Sequence, residues 1–402
     1  MIWLTGGQIY DVEAGGYRRG EIAIDDEGRI EGITATASPA PDDEVIDVDG
    51  AFLLPGLIDC HVHLVMPTWV ADPAAAAARP EGLIAIHAAV AAERSLMAGF
   101  TALRDVGGWN YHEMAVRSAI EAGLIRGPRL FLAGRILSIT TGGAQYYPGM
   151  YEVADGVEEV MAAARKQIAM GADLIKVMAT GAMLSPESED SRAIQFRPEE
   201  LAAAVAIARD NYKPVAAHAH ACQGIVNAVE AGVDSIEHGT FADDEALALM
   251  ADRGTFLVPT CCVAQAMLAD DAVATSMPQH LTQRLLEFDA IHHEAVRRAH
   301  ALGVPIAMGT DAGTPGNHHG DNAQEIVQMV RDCGLTPAEA IQAATLNGAR
   351  LLRQADNLGS LEPGKYADII GLNGDPLDDI EELRRVAFVM KGGVVVKDEL
   401  DE

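Results

Sequence analysis

The chain has 402 residues, 49% of them hydrophobic but only 5% aromatic, and 59 acidic against 29 basic side chains give a formal charge of −30. That length exceeds one small core, and the composition is that of a soluble α/β protein packed with small aliphatics, not of a disordered chain. The acidic surface repels phosphate backbones and anionic lipid, which argues against nucleic acid and membrane partners.

Residues 1–54 read as short strands and turns. Positions 21–25 alternate, Asp26-Glu27-Gly28 marks a turn, and 45–48 lead through Asp49-Gly50 to Pro55-Gly56. Eight strand-like runs follow, at 57–64, 101–106, 129–133, 174–179, 214–220, 235–240, 256–260 and 306–311. Helix-like stretches separate them, among them 197–212, with Pro198 near its start, and 223–230. Eight strand-plus-helix units in one run are what a parallel (β/α)8 TIM-type barrel requires. A doubly wound open sheet is the alternative, but no GxGxxG turn opens a first helix. Strand-like runs return at 366–371 and 394–396, with Gly392-Gly393 between them. The expected organisation is a barrel over 55–358 and a small discontinuous β-sandwich domain made from 1–54 and 359–402. No run of ~18 apolar residues is present, and the first seven residues lack a basic n-region, so a cytoplasmic location is expected. A small-molecule substrate is expected too, and a homo-oligomer is compatible with these residues.

The chemistry-bearing residues fall near the C-terminal ends of the expected strands, which converge on one mouth in such barrels. His61 and His63 lie two apart on the first strand, so both imidazoles point to one side and can ligate one metal ion. Lys176 is one of only six lysines and sits in Asp173-Leu174-Ile175-Lys176-Val177-Met178. An ammonium buried among aliphatics is costly unless it is paired or neutralised. A carbamate formed with CO2 turns it into an anionic bridge for two metals. His218 and His220 repeat the two-residue spacing on the fifth strand, and His238 ends the sixth. His218 is read as a ligand of the second metal together with His238, and His220 as turned toward substrate. Glu237 faces away from His238 and reads as a packing or salt-bridge residue. Asp311 ends the eighth strand, where a carboxylate can bind metal and act as the catalytic proton acceptor and donor. The five cysteines, Cys60, Cys222, Cys261, Cys262 and Cys333, contain no CxxC pair and read as buried, inert thiols.

The run Gly56-Leu57-Ile58-Asp59-Cys60-His61-Val62-His63, followed by Lys176, His218, His238 and Asp311, resembles the binuclear amidohydrolase superfamily over nearly the whole chain. Lys176-Val177-Met178-Ala179-Thr180-Gly181, His218-Ala219-His220 and Gly309-Thr310-Asp311-Ala312-Gly313-Thr314-Pro315-Gly316 are similar to its branch of imidazolonepropionase-like proteins, Xaa-Pro dipeptidases and ochratoxinase-type amidases. The resemblance implies two divalent ions, with zinc expected. His61, His63 and Asp311 would hold one, His218 and His238 the other, and carboxylated Lys176 both. It implies hydrolysis of an amide-type C–N bond, in a dipeptide or N-acyl amino acid, by a metal-bridging hydroxide with Asp311 as proton shuttle. The alternatives are aryl amides, carbamates or ochratoxin-like amides, or a one-metal deaminase of cyclic-amidine type. Dipeptide-cleaving relatives often carry a histidine after the paired glycines beyond strand three. Here residues 138–147 hold none, which leaves Tyr147 as the substrate-binding candidate of that loop. Tyr146, Tyr151, Arg192, His318 and His319 are expected in loops bordering the mouth.

Overall fold

The computed structural model describes residues 1–70 and 72–400. It is a mixed α/β fold with four sheets. Two parallel sheets carry the middle of the chain. One has the order Arg129–Leu132, Phe100–Asp105, Leu57–Val62. The other runs Tyr151–Val153, Ile136–Ser138, Ile175–Met178, Val215–Ala221, Ser235–Phe241, Phe256–Val258. The Leu57–Val62 and Phe100–Asp105 strands are buried at every position, the pattern of parallel strands covered on both faces.

Seven of the eight expected strands are present, with ends displaced by up to two residues; Ile136–Ser138 and Tyr151–Val153 are additional. The eighth is a correction. Residues 306–311 form no continuous strand, only isolated parallel bridges from Ile306 to Leu257 and from Ala312 to Val62. Their backbone is still held on both sides. Ala307 N–H donates to Leu257 at 3.0 Å, Cys60 N–H to Met308 at 2.9 Å, and Asp311 N–H to His61 at 2.7 Å. Asp311 has a φ of +59°, which breaks the extended geometry at the end of the segment.

Local signals set the helices. Helix Pro198–Asp210 starts on its proline, and the Glu200 carboxylate accepts the Arg197 N–H at 2.7 Å. Helix Cys222–Ala231 stops at Gly232, whose φ of +93° suits glycine. The longest helix, Gln279–Ala301, brings Phe288, Asp289 and His292 to the central cavity. No described helix is long and apolar enough to cross a membrane.

Strands from the two ends of the chain pair with each other. The order Val394–Asp398, Phe388–Lys391, Ile369–Leu372, Phe52–Pro55, Gln8–Asp11, Gly16–Arg19 makes a six-stranded sheet. Ile369–Leu372 runs antiparallel to Phe52–Pro55 and joins the two ends. A four-stranded sheet, Ile30–Thr34, Glu21–Ile24, Ile2–Thr5, Glu44–Asp47, lies on the N-terminal part alone. Leu4, Ile9, Ile22, Leu53, Ile369 and Phe388 share one apolar cluster, so both sheets bury a common face.

Candidate metal centre

His61, His63, Lys176, His218, His220, His238 and Asp311 all line one cavity that opens to solvent. His61 Nε2 and His63 Nε2 lie 3.5 and 3.3 Å from Asp311 Oδ1. Ligand atoms of His61, His238 and Asp311 fall within 4.8 Å of one another, as do those of His218, His220 and His238. His238 therefore belongs to both groups. The His220 ring stacks on that of His238, with centroids 4.9 Å apart.

Each imidazole has one nitrogen occupied outside the cavity. His61 Nδ1 donates to Glu237 Oε2 at 2.7 Å and His63 Nδ1 to the Gly107 carbonyl at 2.8 Å. His238 Nδ1 is bonded to Thr260 Oγ1 at 2.7 Å, and His220 Nδ1 to Thr240 Oγ1 at 2.9 Å. His218 differs: its Nε2 meets the Gly181 carbonyl at 3.1 Å, so its remaining lone pair is on Nδ1. Such outer bonds fix ring orientation and tautomer, leaving one nitrogen free to bind a cation. Burial pulls the His61 imidazole down to about 4 and His220 to about 3, and holds His218 and His238 well below the histidine range. These are neutral rings, the form that ligates metal.

Asp311 Oδ1 is buried without a hydrogen bond, although two ring nitrogens face it. Burial pushes its carboxyl up, and His61, His63 and Lys176 outweigh that to hold it below the ordinary range. A buried carboxylate oxygen that no donor satisfies, facing two ring nitrogens, is an environment a divalent cation completes. Lys176 is 2% exposed, and burial drops its ammonium to about 8. Glu237, whose charge favours that ammonium, is already engaged by Arg104 and His61. The donor set thus fits a pair of divalent ions.

Backbone strain gathers here. His238, Thr260 and Asp311 have φ values of +71°, +57° and +59°, in the region L side chains disfavour, at about 1–3 kcal/mol each. Gly313, with φ +113°, is required by close approach: a Cβ there would lie 2.2 Å from the His63 carbonyl oxygen.

Several supporting residues escaped the sequence reading. Glu237 does form the expected salt bridge, with Arg104 at 2.8 Å, but it also aims His61. Asp59 accepts from the His61 and Thr310 N–H groups at 3.0 and 3.1 Å and from Thr310 Oγ1 and Asn322 Nδ2 at 2.6 and 2.7 Å. It thereby ties the first histidine strand to the residue preceding Asp311. A carboxylate in Asp59-Cys60-His61 was the available signal. Of the loop residues, Tyr147 and Tyr151 line the cavity, but the Tyr147 hydroxyl already donates to the Leu184 carbonyl at 2.7 Å. Arg192 is paired with Asp190, His318 is bonded to Thr68 and His319 is buried beside Ser95, and none of the three lines the cavity.

Glu237 and Arg104 are 0% and 1% exposed. Glu237→Gln is expected to leave the guanidinium buried and uncompensated, lowering stability by about 3–5 kcal/mol. Urea unfolding reads this as a lower midpoint at unchanged slope, and a midpoint equal to that of the parent would remove the pair from the stabilising set.

The family model described as the amidohydrolase family matches residues 52–396, and the chain belongs to that family. An ochratoxinase from Aspergillus niger is 35% identical over 372 residues, covering 86% of this chain and 75% of its own. The structure of a Xaa-Pro dipeptidase with methionine bound in its active site matches with a TM-score of 0.90 at 36% identity, covering 98% of this chain and 99% of that one. A prolidase complexed with N-methylphosphonate-L-proline matches with a TM-score of 0.91 at 32% identity, covering 99% of both. The chain is a hydrolase acting on carbon–nitrogen bonds.

Proposed function

We propose that the protein hydrolyses the amide bond of a dipeptide or N-acyl amino acid at a centre for two divalent ions, with zinc suited to its imidazole and carboxylate donors. The observation that carries this reading is the convergence of four neutral imidazoles, Asp311 and a buried lysine on one cavity. His61, His63 and Asp311 would hold one ion and His218 and His238 the other, with Lys176 across both. Ions held there would supply Lewis-acid polarisation for a carbonyl and a water acidic enough to ionise near neutral pH. Likeness to the Xaa-Pro dipeptidase and to the prolidase bound to a proline phosphonate supports a substrate of this size.

The protein's own groups do the rest. An amine lowered from 10.5 to about 8 holds on the order of a hundred times more neutral form at pH 7, the form that adds to CO2 to give a carbamate and release a proton. Asp311 takes the proton of the attacking water and returns it to the departing nitrogen. His220, with Nδ1 tied to Thr240, presents its other nitrogen to the substrate. The scaffold is read as a (β/α)8 barrel over 55–358, with segment 306–312 closing it between Phe256–Val258 and Leu57–Val62. Residues 1–54 and 359–402 make the β-sandwich beside it.

One observation favours a second substrate class. Met66, Met150, Met183, Leu184, Leu285 and Phe288 line the cavity, and among the described residues no lysine or arginine other than Lys176 does. An aryl amide or carbamate without a free carboxylate suits such walls. The test is a panel of dipeptides, N-acyl amino acids and aryl amides, with zinc and bicarbonate supplied. Hydrolysis is expected that a chelator abolishes and zinc restores. Full turnover after complete metal removal would sink the reading. One ion per active chain with unmodified Lys176 would replace it with the one-metal deaminase.

A further inference from the structure

A second cluster of metal-binding side chains lies against the same cavity wall. Cys261 borders the cavity and follows Thr260, the residue bonded to His238 Nδ1. Its Sγ lies 3.3 Å from Cys333 Sγ, 72 positions away in sequence. His293 completes a triangle: the two sulfurs and a ring nitrogen fall within 4.8 Å of one another. All three residues are buried. They come from three places, the turn after strand Phe256–Val258, the middle of helix Gln279–Ala301 and the end of helix Ala323–Arg331. One helical turn before His293, Asp289 puts Oδ1 3.7 Å from His293 Nε2.

We propose that Cys261, Cys333 and His293 form a separate, thiolate-containing site for a divalent cation of the zinc class. Tetrahedral zinc, with sulfur at ~2.3 Å and nitrogen at ~2.0 Å, places its donor atoms roughly 3.3–3.8 Å apart. Two sulfurs on one such ion stand about 3.8 Å apart, so the pair at 3.3 Å would open by about half an ångström, and the third donor lies within 4.8 Å of both. Thiols and imidazole are the donor types of structural zinc sites, whereas the groups around Asp311 offer nitrogen and oxygen. Cys60, Cys261, Cys262 and Cys333 are buried as expected, Cys222 only partly, and the sequence reading missed this pairing.

The electrostatics agree. The Glu325 carboxylate is fully buried and accepts the N–H groups of Cys261 and Cys262 at 2.9 and 2.7 Å. Burial, Cys333 and Glu325 together keep the Cys261 thiol well above the usual range, so without a cation it stays protonated. A coordinated ion would displace that proton. Occupancy would pin the turn that carries Thr260, and through it the orientation of His238. The site is structural in this sense and does not depend on which substrate the cavity takes.

Cadmium is the probe. Added to the zinc-loaded holoenzyme, Cd2+ is expected to produce an ultraviolet thiolate-to-cadmium charge-transfer band. Cys261→Ser and Cys333→Ser should each at least halve it, and the double variant should lose one metal equivalent per chain. Cys222→Ser and Asp311→Asn should retain the band, the latter separating this site from the proposed hydrolytic centre. No band in the wild type, or a band unchanged in the serine variants, overturns the proposal. So does a Cys261–Cys333 disulfide in protein kept under reductant. If a serine variant fails to fold, alkylation of the wild type decides. Cys261 and Cys333 should be protected by cadmium and released by chelator, and labelling indifferent to cadmium counts against the site.

Discussion

Replacing Lys176 with alanine is expected to cost at least three orders of magnitude in kcat/KM and to reduce bound metal from two ions toward one or none. A loss of that size is about 4 kcal/mol of barrier, the scale on which charge stabilisation by a metal operates. The side chain lines the cavity with His61, His218, His238 and Asp311, and on the proposed reading its removal takes away the bridge between the two ions. Lys176→Arg tests the chemistry rather than the volume: it keeps a long cationic chain but cannot form the carbamate. The measurement is metal content by mass spectrometry alongside steady-state kinetics. In 13C-bicarbonate the parent should show a carbamate carbon resonance that both variants lack. An alanine variant with two ions and near-parental kcat would end the bridging role.

Asp311→Asn should lower kcat by about 10²–10⁴, the range for loss of a positioned proton-transfer group, with a much smaller change in KM. The amide preserves shape and one oxygen, so the φ of +59° and the Gly313 turn beyond it are undisturbed. What it removes is a carboxylate that His61, His63 and Lys176 hold in its charged form. Far-UV circular dichroism and metal content, taken on the same sample, separate lost proton transfer from lost metal. A kcat within about threefold of the parent, with metal retained, would assign the proton to another group.

The two predictions draw on different layers of information. The pairing of His61 with His63, and of His218 with His220, was legible because strand side chains alternate with period two, a rule that acts between neighbours in sequence. The burial of Lys176 was legible for a like reason: flanking aliphatics announce a covered strand. Strand and helix alternation likewise forecast seven of the eight parallel strands. Residues 306–311 read as a strand because they are apolar and β-branched in part, yet a positive φ at Asp311 and bonding to two neighbours at separate points interrupt the ladder.

Contacts between distant positions carry no such local mark. Glu237 reaches His61 across 176 positions and Arg104 across 133, and Asp59 reaches Thr310 across 251. Cys261 and Cys333 look like ordinary core cysteines until two separate elements set their sulfurs side by side. The sequence by itself determined that His61 with His63 and His218 with His220 sit two apart toward the ends of buried strands and that Lys176 lies on another. The packing of those elements decided which nitrogen of each imidazole faces the cavity and which buried charges hold it there, because ring orientation is set by partners that only the folded chain brings near.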